Sequence, residues 1–119
     1  MRIVSWNRKK GRANTALDRR KHEAILGLDP KPDILILQEF VLSKYCPIPE
    51  EMKLVAAVEF EERIDKADPD KIGDRNGLAV FCCNKQITVE PLKEYDYKKS
   101  KFYIPMKVRS ENLSFNLLA

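Results

Sequence analysis

The sequence predicts an α/β fold that opens strand, helix, strand and continues in mainly antiparallel strands. Three observations carry this. The apolar run Ile34-Leu35-Ile36-Leu37 lies between a proline turn and a polar end. Ahead of it, Leu17, Ala24, Ile25 and Leu28 recur near helical spacing. From residue 53 onward, short β-prone segments alternate with turn residues. With 119 residues, 44% of them hydrophobic, and only 4 Gly, the chain has the makeup of one folded unit, 1–119, and not of a disordered tail.

Arg2-Ile3-Val4-Ser5-Trp6 is β-prone and partly alternating, so a strand is expected that ends at Asn7. After a basic loop, the periodic apolar residues predict an amphipathic helix from Asn14 to about Leu28, with Asn14 or Thr15 as its cap. Asp29-Pro30-Lys31-Pro32 must end it, because proline lacks an amide donor and biases its predecessor away from helical angles. The segment from Asp33 to Glu39 then reads as a central strand buried on both faces. A parallel pair with a right-handed crossover is the simplest arrangement of these two strands, and an intervening strand is the alternative. Further strands are expected over 53–60, 77–82, 87–89, 102–108 and 113–118, with a charged loop over 61–76 and a hairpin tip at Asn84-Lys85. Pro105 marks its strand as an edge or a bulge.

The formal net charge of +4 permits an anionic partner without requiring one. The charge is segregated: residues 8–22 hold seven Lys or Arg against one acid, whereas residues 49–74 hold nine acids against four Lys or Arg. Three cysteines, Cys46, Cys82 and Cys83, make an odd number, and vicinal Cys82 and Cys83 on a strand would face opposite ways, so no disulfide framework is expected. No Cys/His zinc spacing, apolar signal segment or run near the ~18 residues of a membrane span is present. A cytoplasmic setting without membrane attachment is the expectation.

Two polar residues close the first two buried strands, Asn7 and Glu39. Beyond the carboxyl ends of neighbouring parallel strands, such side chains meet in one crevice. A glutamate there can bind Mg²⁺, a hard cation that takes oxygen ligands and keeps several waters, and an asparagine amide can donate to a phosphate or orient the carboxylate. The combination of Arg2-Ile3-Val4-Ser5-Trp6-Asn7, a helix, and Pro32-Asp33-Ile34-Leu35-Ile36-Leu37-Gln38-Glu39 closely resembles the opening of the endonuclease/exonuclease/phosphatase (deoxyribonuclease I-like) family. Gly77 to Phe81 and Leu113 to Ala119 are similar to its later strands, in the same order.

The resemblance implies part of a four-layer α/β sandwich and a hydrolase that cleaves phosphoesters with Mg²⁺ or Mn²⁺. It matches Glu39 to the family's metal-binding glutamate and Asn7 to its active-site asparagine. Lys9 stands where many nuclease members carry an acid, a departure from the nuclease-type metal arrangement. The family's water-orienting Asp/Asn pair and its Asp-His pair belong to its second half and have no counterpart here. The one histidine, His22, is expected on the surface of the basic helix. The last strand finishes on apolar residues without cap or polar tail, which predicts that the family domain is cut after Ala119. The implied partners are therefore a phosphoester, such as a nucleic acid, and a C-terminal half or complementary chain; the 119 residues alone are expected to be inactive. Arg8, Lys9, Lys10 and Arg12 either line the crevice as phosphate contacts or form a solvated loop, and Arg75 and Asn76 are further phosphate-contact candidates or turn residues. The alternative function is a non-catalytic nucleic-acid or anion-binding module built on the basic loop 8–12.

Overall fold

A computed structural model describes residues 1–8, 16–40, 48–59, 77–100 and 103–119. The order is β1 (Ile3–Asn7), α1 (Ala16–Leu26), β2 (Ile34–Phe40), β3 (Lys53–Glu59), β4 (Gly77–Cys82), β5 (Thr88–Pro91), the short α2 (Tyr97–Ser100), β6 (Pro105–Arg109) and β7 (Ser114–Leu118). The fold is mixed α/β and mostly strand. One sheet has the order β1-β2-β4-β3 and the other β5-β6-β7. β1 and β2 pair directly and in parallel, from Ile3 opposite Ile34 to Asn7 opposite Gln38, so no strand intervenes between them. The remaining pairs are antiparallel.

Alternation along β2 explains why its apolar run is continuous. Ile34 and Ile36 pack toward the second sheet with Val80, Val89, Ile104, Met106 and Val108, whereas Leu35 and Leu37 pack with Ile25, Ala79 and Phe81 on the α1 side. All four side chains are at most 4% exposed, as a strand covered on both faces requires. Cys82 and Cys83 likewise go to opposite sides of the sheet and are free thiols. Burial and the neighbouring charges of Asp33 and Glu51 push the Cys83 thiol up to about 11, so it stays protonated and unreactive at neutral pH. No helix among the described residues is long and apolar enough to cross a membrane.

Three expectations are corrected. α1 does not bury the stripe its apolar residues suggest: Leu17 is 61% exposed and Ala24 is exposed, whereas His22 and Ile25, one turn apart, face the sheet. His22 is therefore buried, at 6% exposure, and not a surface residue; a helix docks by the face that its connections impose, even when one position on that face is polar. Asn84-Lys85 is not the tip of a hairpin, because β4 and β5 belong to different sheets. The segment after β4 turns at Asn84, where Asn84 Oδ1 accepts from Gln86 N at 2.8 Å, and crosses to the second layer. Pro105 lies on the central strand of its sheet, not on an edge. It is tolerated as the first residue of β6, where its carbonyl still accepts from Leu92 N at 2.9 Å.

Asp33 ties the entry end of the first sheet together. Its carboxylate accepts from Arg2 N at 2.6 Å and from Asn84 Nδ2 at 2.7 Å, and its carbonyl accepts from Cys83 N at 2.8 Å. The Arg2 amide, then the Asn84 side chain, hold its carboxyl below the usual carboxylate range. A depressed acid contributes stability above its unfolded pKa of about 3.9 and loses that contribution as pH falls through the folded value. Asp33→Asn is expected to lower unfolding free energy by about 1 kcal/mol at pH 7, a figure discounted for solvent screening at this half-buried site. In urea titrations the gap between the two proteins should close as pH falls through the lowered folded value of Asp33; a gap independent of pH would contradict the assignment.

Candidate functional site

The site forms where β1 and β2 end together. Their parallel register sets Asn7 beside Gln38. Val4 and Trp6 pack on the α1 side of the sheet, so alternation directs Ser5 and Asn7 to the other face, with Ile34, Ile36 and Gln38. Strict alternation would send Glu39 to the α1 side with Leu35 and Leu37, away from Asn7.

A backbone irregularity removes that separation. The β2–β4 register shifts between Gln38 and Phe40, a bulge at Glu39. Glu39 has φ 52°, the one positive-φ non-glycine among the described residues. Holding an L-residue in this left-handed region costs roughly 1–2 kcal/mol. The bulge brings its carboxylate to the face of Asn7, whose Nδ2 donates to Glu39 Oε1 at 3.1 Å. Beside it, Gln38 Nε2 donates to Ser5 Oγ at 3.3 Å. Ser5, Asn7 and Gln38 are exposed and Glu39 is half-buried, so four polar side chains line an accessible ridge at the mouth of the sheet.

Of the other candidates, only Arg8 lies among the described residues. Arg8 follows Asn7 but is 4% exposed, its amide extends the ladder to Gln38 O at 3.0 Å, and Lys21 Nζ donates to its carbonyl at 2.9 Å. It is integrated into the fold on the side of Val4 and Trp6, and is not a solvated loop residue. Lys9, Lys10, Arg12, Arg75, Asn76 and Cys46 lie outside the described residues. Sequence reasoning did not single out Ser5 and Gln38 as part of the site; their place two residues before Asn7 and one before Glu39 was the available signal.

Among the described residues, neither of two clefts elsewhere is lined by Asn7 or Glu39. One of about 450 Å³ includes Asp33, Asn84, Ser110 and Glu111, at the opposite end of β2. A larger groove of about 780 Å³ runs over the outer face of the second sheet past Glu90, Lys107, Arg109 and Asn116. In it, Arg109 Nη1 lies 3.4 Å from Glu90 Oε1, and both side chains are about half exposed (58% and 44%), so the pair contributes little to stability.

Among the described residues no group of three or more His, Cys, Asp or Glu gathers. The contacts described around Glu39 are the Asn7 amide and, beside it, the Gln38 amide and the Ser5 hydroxyl. No family model, curated protein or solved structure matches the chain.

Proposed function

We propose that this chain forms the metal-holding part of a divalent-metal phosphoester hydrolase of the endonuclease/exonuclease/phosphatase type, within a four-layer deoxyribonuclease I-like sandwich. The single observation that carries the reading is the 3.1 Å contact between Asn7 and Glu39 at adjacent strand ends, made across a bulge that places Glu39 in a costly backbone conformation. Side chains that meet by chance at a strand end do not need such a conformation, and strain of this kind concentrates at functional sites.

Glu39 would hold Mg²⁺ or Mn²⁺ through a carboxylate oxygen. Asn7, by donating Nδ2 to the same carboxylate, would fix its rotamer. The cation, when bound, supplies Lewis-acid stabilisation of phosphoryl charge and lowers the pKa of a bound water. Hydrolysis also needs a group that takes the proton from the attacking water. The one histidine is buried in α1, so it is given no part in taking that proton.

The direct test is cation binding, which does not depend on the proton acceptor. Titration with Mn²⁺, followed by the loss of the free-ion paramagnetic resonance signal, should show a saturable site that Mg²⁺ competes for and that Glu39→Gln removes. Binding untouched by Glu39→Gln rejects the assignment.

A further inference from the structure

We propose that β7 is a self-pairing edge, through which two copies of this chain associate in antiparallel register about a two-fold axis at Asn116. The proposal does not rest on the metal reading of Glu39.

β7 is the outer strand in the order β5-β6-β7. Its bonds to β6 fix which of its residues look outward. Ile104 N donates to Ala119 O at 2.9 Å and Ala119 N donates to Ile104 O at 3.0 Å, so these two residues exchange both backbone bonds. Such pairs recur at every second residue of an antiparallel ladder, which assigns the same exchange to Met106 with Leu117 and Val108 with Phe115. The amides and carbonyls of Ser114, Asn116 and Leu118 therefore point away from β6. Among the described residues no strand pairs with that side of β7, and all three residues are exposed.

An open edge is ordinarily blunted by charge or proline. The other sheet edges among the described residues follow this rule: β5 carries Glu90 and Pro91, β3 begins at Lys53 and ends at Glu59, and β1 is flanked by Arg2 and Arg8. From Leu113 to Ala119, β7 has no charged residue, no proline and no glycine. Nothing on it repels an identical strand.

The residue order of β7 also suits its own reverse. With Asn116 on the axis, Ser114 lies opposite Leu118 of the second copy, and each of the outward-looking pairs can exchange two backbone bonds. A register two residues away would leave Ser114 or Leu118 of each copy without a partner in β7. The same symmetric register sets Phe115 opposite Leu117 of the second copy, and Leu113 opposite Ala119 of the second copy. These positions alternate with the bonded pairs, where facing side chains come closest. Phe115, Leu117 and Ala119 pack against the core between the sheets but are only half-buried, and Leu113 is 50% exposed. Pairing would continue that apolar face across the axis.

The experiment is sedimentation equilibrium on the 119-residue chain and its variants, each with its melting temperature measured. The chain itself should show a monomer–dimer equilibrium. Asn116→Glu and Asn116→Lys each set like charges opposite one another on the axis and should weaken the dimer about tenfold or more. Glutamate at 116 also lies opposite Lys107 within its own chain, so it brings no like charge into the fold. An equimolar mixture of the two variants should recover the dimer as a heterodimer. If either variant does not fold, Asn116→Pro, which removes an amide donor that β6 does not use, must weaken the dimer in the same way. A chain that stays monomeric at about 1 mM overturns the proposal, as does a dimer that these substitutions leave intact. Folded single variants that are monomeric and fail to recover on mixing overturn the axis at Asn116.

Discussion

Glu39→Gly is expected to make the protein more stable and unable to hold a divalent cation. Glycine reaches φ 52° without the Cβ clash that Glu39 bears there. The relief is offset in part by the greater freedom of an unfolded glycine and by loss of the exposed hydrogen bond to Asn7. The net gain should be about 0.5–1 kcal/mol, a rise in melting temperature of roughly 2–5 °C. Glu39→Ala removes the same carboxylate but keeps a Cβ at positive φ, so it should gain no stability. Mn²⁺ binding should be lost in both. A glycine variant no more stable than the alanine one would show that the backbone there costs nothing, and the link between strain and function at Glu39 would go with it.

Phe81→Ala is expected to cost about 3–5 kcal/mol, a large share of the roughly 5–15 kcal/mol that stabilises an ordinary domain. Phe81 is fully buried near the C-terminal end of β4, opposite Leu35 on one side and Leu54 on the other, and it packs in the cluster with Ile25, Leu37 and Ala79 that holds α1 to the sheet. Truncation opens a cavity between helix and sheet, which β2 and β4 cannot close without breaking their ladder. Phe81→Leu should lose only about 1–2 kcal/mol, since it refills most of that space. Urea unfolding at pH 7 reads both. A cost below about 1.5 kcal/mol for the alanine variant would mean that α1 is not held by this cluster.

The two variants act on opposite accounts of the molecule, and they mark how far the sequence could be read. Local patterns were legible where one physical cause dominated. The four apolar residues 34–37 allowed only a strand covered on both faces, and proline at 30 and 32 forced α1 to stop before it. A helix between two short strands made their parallel arrangement the simplest expectation, and the structure decided that β1 and β2 pair directly with no strand between them. The helix face was not legible in the same way. His22 sits on the buried side and Leu17 on the open one, because docking depends on where the chain enters and leaves the helix as well as on hydrophobicity. The break between β4 and β5 was hidden for a related reason: a turn at Asn84 fits a hairpin and a crossover equally well, and only the competition between sheets for partners decides.

By itself the sequence determined which residues are apolar enough to form β1, β2 and β4 and that a polar side chain ends β1 at Asn7; β2 runs one residue past Glu39, to Phe40. The first two are consequences of composition and period over a few residues, which no distant contact can change. The tertiary structure alone decided that Asn7 and Glu39 touch. Counting along β2 places them on opposite faces of the sheet, and they meet at 3.1 Å because pairing with β4 imposes a bulge at Glu39 and a left-handed φ that no residue type there announces. A side chain's face follows from the ladder on both sides of its strand, and β4 enters that ladder from 37 residues further along the chain, where Gly77 pairs with Phe40.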